Sequence, residues 1–221
     1  MVGKRRNTHF RQKQIASAAA ELIVRHGSEH LTIKRIARYT KLSEAAIYRH
    51  FSSKNDIYHF LLESIGITLL TDLKCDDLRN TTGTRDLDSL IDMHISEIEK
   101  NRGVEFQVIA EILSMGNAGL NQQTIVIINS YISSLEKVFY KRIRPKYLES
   151  KSEAECLALA FFTLVQGLVN LWALSGYAFD LKHKFYRVWA FHTKAVEFYT
   201  NPNIMIKERN LKYKQSDNTG A

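Results

Sequence analysis

The chain has 221 residues, 45% of them hydrophobic, with two prolines and ten glycines, which is enough apolar material for a sizeable core and excludes a mostly disordered or collagen-like chain. Its formal charge is +8, and the surplus is local: residues 1–54 hold twelve Lys/Arg against three acids, whereas the remainder holds nineteen against twenty. A basic end joined to a neutral body is the footprint of a nucleic-acid-binding head, although an anionic membrane surface would attract it too.

The opening MVGKRRN is basic with no apolar run behind it, which argues against a secretory signal and for a cytoplasmic protein. Cys75 and Cys156 lie far apart and outside any Cys-x-x-Cys spacing, so neither a disulfide framework nor a zinc site is expected, and both read as small buried apolar residues. No cofactor is implied. Scarce Pro and Gly, with apolar residues at helical spacing over long stretches, predict an all-α protein.

Residues 10–26 place Ile15, Ala18, Ala19, Leu22 and Ile23 on one helical face, and Gly27 ends that helix. Thr32 is the expected N-cap of a short second helix carrying Ile33, Ile36 and Ala37, and Ser43 that of a third, in which Ala46, Ile47, His50 and Phe51 continue the pattern. Ser52 and Ser53 cap a fourth, running from about 54 to 73 with Ile57, Phe60, Leu61, Ile65 and Leu69 inward. A looser stretch, 74–84, contains Asn80-Thr81-Thr82-Gly83 and reads as a linker. Helices then follow at about 85–101, 104–114, 121–144, 152–174 and 181–200, with Pro145, Gly176 and Pro202 as stops, and a polar tail over 201–221.

The segment LSEAAIYRHF, residues 42–51, explains the basic head. A helix-turn-helix lays its second helix in the major groove, where the N-terminal residues reach base edges and the flanks bond phosphates. Ala45 and Ala46 keep the surface low, Ile47 and Phe51 face inward, and Tyr48, Arg49 and His50 make a DNA-facing edge.

From Arg11 to about Leu62 the pattern resembles the N-terminal domain of TetR-type bacterial transcriptional regulators. Arg11, Ile15, Ala18-Ala19, Leu22 and Gly27 match that family's first helix, and Thr32 with Ile36-Ala37 its second. Ser43, Ile47-Tyr48, His50-Phe51, Ser53-Lys54 and Ile57 match the third and the start of the fourth. The resemblance implies a three-helix DNA-binding domain at 8–54, a fourth helix linking it to the body, and a larger helical ligand-binding and dimerisation domain at 55–200. It further implies that Tyr48, His50 and Lys54 contact phosphates of double-stranded DNA, helped by Thr32 and Ser43 at helix starts. Glu44, Ala45, Arg49 and Lys34 are then the candidates for base edges, and Arg35 belongs to the same set. Glu44 either accepts from a cytosine amine, braces Arg49 or supports the third helix through its dipole. Two departures stand out: Thr40-Lys41 replaces the family's usual Ala-Gly, which would put Lys41 in a left-handed conformation, and Ala45 stands where the family often has Gly. SEAAIYRHF is also similar to the nucleoid-occlusion branch of the superfamily.

His26-Gly27-Ser28-Glu29-His30 matches the H-x-x-E-H pattern of one class of zinc peptidases, but Gly27 and Ser28 fall where the helix ends, so no metal site is expected. No other catalytic spacing is present, and the chain reads as no enzyme.

Residues 157–174, LALAFFTLVQGLVNLWAL, approach the length of a membrane span, yet Thr163, Gln166 and Asn170 interrupt them on one face. They read as a helix buried on most sides, partly against a partner subunit, with no membrane involved. The resemblance implies a homodimer made by the last two long helices, and the candidates are Leu164, Leu168, Leu171, Trp172, Val188, Trp189, Phe191 and Phe198. It also implies a small-molecule effector of unknown class, for which Met93, His94, Phe106, Met115, Asn129, Tyr131, Phe162, Gln166 and Asn170 are candidate lining; each reads as well as ordinary core or surface. The reading is a ligand-responsive repressor on a palindromic operator, the alternative a DNA-bound scaffold without an effector.

Overall fold

The computed structural model describes residues 2–74, 87–143 and 151–200, with side chains for 8–71, 73, 87–141 and 151–192. The expected linker with Cys75, the stop at Pro145, the polar tail and the Phe198 side chain lie outside these. Among the described residues the chain is all-helical: α1 (Val2–His26), α2 (Ile33–Thr40), α3 (Glu44–Tyr48), α4 (Lys54–Lys74), α5 (Leu87–Lys100), α6 (Val104–Ser114), α7 (Ala118–Ile143), α8 (Lys151–Leu174) and α9 (Leu181–Thr200), with a 3-10 turn at Ser28–His30.

Local chemistry sets the boundaries in the head. Gly27 closes α1 at φ 84°, where its N–H bonds Ile23 O at 2.8 Å and an added Cβ would collide with the Glu29 carboxylate. Thr32 Oγ1 accepts the Arg35 N–H and Ser43 Oγ the Ala46 N–H, each at 3.1 Å, capping α2 and α3. At α4, Ser53 Oγ accepts the Asp56 N–H at 3.1 Å while the Asp56 carboxylate accepts the N–H groups of Ser52 and Ser53, a reciprocal capping box. The Ser53 hydroxyl, which also donates to that carboxylate, is the chief reason Asp56 ionises below the usual carboxylate range.

α1 starts at Val2, earlier than its apolar face requires, so the basic N-terminal segment is helical. α3 is shorter than expected: it stops at Tyr48, leaving Arg49 as its C-cap and His50 in the following turn. α1 packs on α2, α4 and α6; α4 continues onto α7; α7 packs on α8; and α8 and α5 hold α9. Gly66 lets α4 approach α7 closely, since a Cβ there would sit 3.2 Å from Ile127 Cγ1. One contiguous apolar core runs from Ile15 to Trp189.

The body's centre is aromatic. Phe161 lies edge-to-face with Phe185 and Trp189, at centroid distances of 5.4 and 5.2 Å, and Phe139 stacks on Trp189. Trp189 is therefore core of its own chain, which corrects its assignment to the dimer face. Trp172 is corrected likewise: it is buried, and its Nε1 donates to Phe179 O at 2.7 Å. The thiol of Cys156 is exposed rather than buried. α8 has the length and composition of a membrane span but packs on α6, α7 and α9, with Ala154, Leu157, Phe161, Val165 and Val169 buried. Cross-ties fix α9: Glu99 Oε1 accepts the Leu181 N–H at 3.1 Å, and Lys182 Nζ lies 2.8 Å from Asp92.

His94 sits inside this core, its Nε2 2.5 Å from the Tyr131 hydroxyl, and burial pushes its imidazole down to about 4. Because the folded value is depressed, the unfolded chain binds the extra proton, so stability is full above the ordinary histidine value and falls as pH drops from about 6.5 toward 4. The loss in that window is expected to reach about 3 kcal/mol. Urea unfolding between pH 7 and 4.5 checks this; His94→Phe should flatten the dependence, and an equal slope in that variant would show that another group is responsible.

Candidate nucleic-acid interface

Five residues of α3 are held by what lies beneath them. Ile36 on α2 and Ile47 on α3 are fully buried, with Ala37 and Phe51 beside them in the core. The turn between is closed by Leu42 N–H to Ala37 O at 2.9 Å and Lys41 N–H to Arg38 O at 3.3 Å, with Lys41 left-handed at φ 56°, ψ 36°. The side chains that do not fit the core are turned out: Thr32, Lys34, Arg35, Ser43, Glu44, Ala45, Tyr48 and Arg49 are all exposed, Tyr48 by 54%.

Their tethers differ. The Arg35 guanidinium donates to His30 O at 3.2 Å. Arg49 keeps right-handed helical angles at φ −70°, ψ −19°, so it extends the α3 surface although the helix ends before it. His50 is half-buried; its N–H bonds Ile47 O at 2.9 Å, and its C=O accepts from Gln12 Nε2 at 3.4 Å. Lys54 is half-buried too, its ammonium donating to Leu31 O at 3.3 Å and lying 5.7 Å from the Tyr58 ring centroid. Burial, with the charges of Glu111 and Glu29, raises the Tyr58 phenol to about 12, so it remains a donor. Glu44 occupies the first turn of α3, where a carboxylate suits the free N–H groups.

Two more cations join this face, Lys41, whose place in the turn the motif comparison singled out, and Arg38, which motif matching passed over. Arg38 and Lys41 are exposed, and with Lys34 they stand at i, i+4 and i+7 along α2 and its cap. The helical spacing of basic residues was the signal that could have found Arg38. By contrast Tyr39 is turned back to Glu21 by a short hydrogen bond, with Arg25 paired to the same carboxylate. His26 ends α1 and is exposed, while His30 lies 3.5 Å from Glu29, and no group of three His, Cys, Asp or Glu converges among the described residues.

In the body the proposed pocket residues divide. His94, Tyr131, Phe106 and Phe162 form a ring cluster with centroid spacings of 5.8 to 6.5 Å, and Gln166 joins it by donating to Phe106 O at 3.1 Å. Asn170, although exposed, is tied to it by accepting from Gln166 Nε2 at 3.0 Å, whereas Met93, Met115 and Asn129 are exposed on the outside and are not brought to this cluster. On the last two helices Leu171 (58%) and Phe191 (74%) are exposed, Leu164 and Val188 are half-buried, and Leu168 is buried.

Residues 15–60 match the model of "Bacterial regulatory proteins, tetR family". Nucleoid occlusion factor SlmA of Vibrio campbellii is 25% identical to this chain over 186 residues, which cover 81% of the chain and 92% of that relative. The regulatory protein TetR from Rhodobacter sphaeroides shares the fold with a TM-score of 0.69 at 16% identity, over 81% of this chain and 97% of its own. The Bacillus subtilis regulator FadR, solved in complex with stearoyl-CoA, does so with a TM-score of 0.66 at 19% identity, over 80% and 95%.

The left-handed lysine gives a test of the turn. Lys41→Gly relieves a backbone strain of about 1 kcal/mol, so the variant is expected to be as stable as the parent or slightly more so. If Lys41 faces phosphate, the same change weakens DNA binding and lowers the slope of log affinity against log salt by about 1. Thermal unfolding and a salt titration of binding measure both, and an unchanged slope would place Lys41 off the DNA.

Proposed function

We propose that this DNA-binding transcriptional regulator, with its tetR-type head, works as a homodimeric repressor on a palindromic operator and is released by a small-molecule effector in the body. The observation that carries the reading is the α2–α3 face: a recognition helix capped by Ser43 and seated on Ile47, its outer surface made of Glu44, Ala45, Tyr48 and Arg49, flanked by Lys34, Arg35, Arg38 and Lys41. Small residues admit the helix to the groove, Arg49 suits the paired acceptors of guanine, and the flanking cations suit phosphates.

A twofold partner is supported by the outer side of α8. Leu159, Thr163, Gly167, Leu171 and Leu174 stand at intervals of four or three residues and are all exposed, Leu174 by 86%, which is more apolar surface than a lone helix leaves to water. Beside it lies a groove of about 620 Å³ lined by Leu168, Phe179, Val188 and Phe191 with Lys184 and Arg187 on its rim. A mate across this stripe would carry a second α3, and heads about 34–36 Å apart read successive major grooves.

The effector is taken to have a substantial apolar part, because the body's interior is aromatic with few polar points, and because the FadR relative was solved with stearoyl-CoA. Effector and operator must then weaken each other by the same factor. Likeness to the SlmA nucleoid occlusion factor over most of the chain supports the second reading, a DNA-bound scaffold that needs no small molecule.

Tyr48→Ala should weaken binding to all sequences alike, by about 1 kcal/mol, whereas Arg49→Ala should relax preference at one position per half-site, worth about 1–3 kcal/mol there. Selection of genomic fragments followed by binding titrations separates the two, and intact operator affinity in both variants would move the recognition helix elsewhere. Adding a long-chain acyl-CoA to the complex is the first effector trial: release favours the repressor reading, and indifference to acyl-CoA and other apolar effectors favours the scaffold. Phe191→Glu is expected to shift the protein from dimer toward monomer in sedimentation, and an unshifted dimer would place the twofold elsewhere.

A further inference from the structure

Ser28 stands where three parts of the fold meet. It is 4% exposed; its N–H is taken by a side chain of another helix, and its C=O is shared between a side chain of another helix and the Leu31 N–H of its own turn at 3.2 Å. Its N–H donates to Glu111 Oε2 of α6 at 2.9 Å, and its C=O accepts from the Tyr58 hydroxyl of α4 at 3.0 Å, across separations of 83 and 30 residues. A buried backbone N–H is costly to orphan, so the turn is tied to α6 through Glu111, while the Tyr58 hydroxyl adds a second tie, to α4, at a carbonyl that the Leu31 N–H also satisfies. Three residues on, Leu31 O receives the Lys54 ammonium, which also lies beside the Tyr58 ring. An unbroken set of contacts therefore runs from α6, in the body, to a lysine on the proposed DNA-binding side.

We propose that Glu111 is a positioning residue for DNA binding: its carboxylate pins the Ser28 turn to α6, and the turn, through Tyr58 and Leu31, fixes how Lys54 is presented. The inference rests on the DNA-binding reading above and adds to it the path by which the body's state reaches the head. Displacing α6 moves the acceptor away from Ser28, and the turn then relaxes with the lysine it holds. Glu111 itself touches no DNA in this account, and its charge is not what matters; the hydrogen-bond acceptor is.

Gln at this position keeps an acceptor oxygen and removes the charge, while Ala removes both. Binding is measured on a duplex that the wild-type protein selects from genomic fragments, and amide hydrogen exchange over residues 28–31 is measured on the same proteins without DNA. Glu111→Ala is expected to lower affinity at least fivefold and to speed exchange at least tenfold, with Glu111→Gln within twofold of wild type in both. The Lys54→Ala, Glu111→Ala double variant should lose less affinity than the product of the single losses. Equal tightening in both Glu111 variants would mean that only charge acts, and a lower Tm with unchanged affinity would mean a merely structural tie; either overturns the proposal, as would strict additivity. Failure of the wild type to select any duplex would instead sink the DNA-binding reading, while the exchange data still decide whether Glu111 holds the turn.

Discussion

A helix of five residues does not hold itself together, because so short a segment fixes several dihedral angles for one or two hydrogen bonds. α3 persists because Ile47 is fully buried in the core where α3 packs on α2, because Ser43 caps its start, and because Lys41 accepts a strained angle to bring it there. The exposed edge proposed to read bases is thus the reverse side of a small hydrophobic contact. Disturbing that contact would alter DNA recognition without touching a single DNA-facing atom, which is why the head's core and its binding face are one problem.

Much of this was legible in the sequence, for reasons that differ by residue. Caps announce themselves: Thr32, Ser43 and Ser53 are the residue types that satisfy free N–H groups, and the structure uses all three. The left-handed turn at Lys41 followed from the resemblance, because Lys41 stands where the family usually has Gly. The length of α3 was not legible, since Tyr48, Arg49 and His50 are equally tolerable in a helix or just beyond one, and the end is decided by how the chain returns to α4. Trp172 and Trp189 show the weakness of composition in an apolar helix. A large aromatic suits a core or an interface equally, and only the placement of Phe139, Phe161 and Phe179 around them sends them inward. Cys156 shows the converse, a residue usually buried that stands on an exposed face of α8.

The candidate pocket was less legible than the candidate DNA face, and the cause is physical. A DNA face needs charge at helical spacing, which sequence displays. An effector site needs a concavity among apolar residues, and those residues are also what any core requires. His94, Tyr131 and Gln166 come together from α5, α7 and α8, 35 or more residues apart, so no local pattern links them. Met93 and Met115 could be excluded from that cluster only by knowing which way α5 and α6 are turned.

The close approach of α4 to α7 at Gly66 has a geometric consequence. α4 has 21 residues and so is a rod of about 30 Å, with one end among the head helices and the other in the body. A rod of that length converts a tilt of about 5° at its body end into a displacement of about 2.6 Å at its tip. In a twofold assembly the two tips would move in opposite senses, changing their separation by about 5 Å against a groove repeat of about 34–36 Å. A glycine-sized change in packing deep in the body is thereby magnified to the scale at which hydrogen bonds to bases are made or lost.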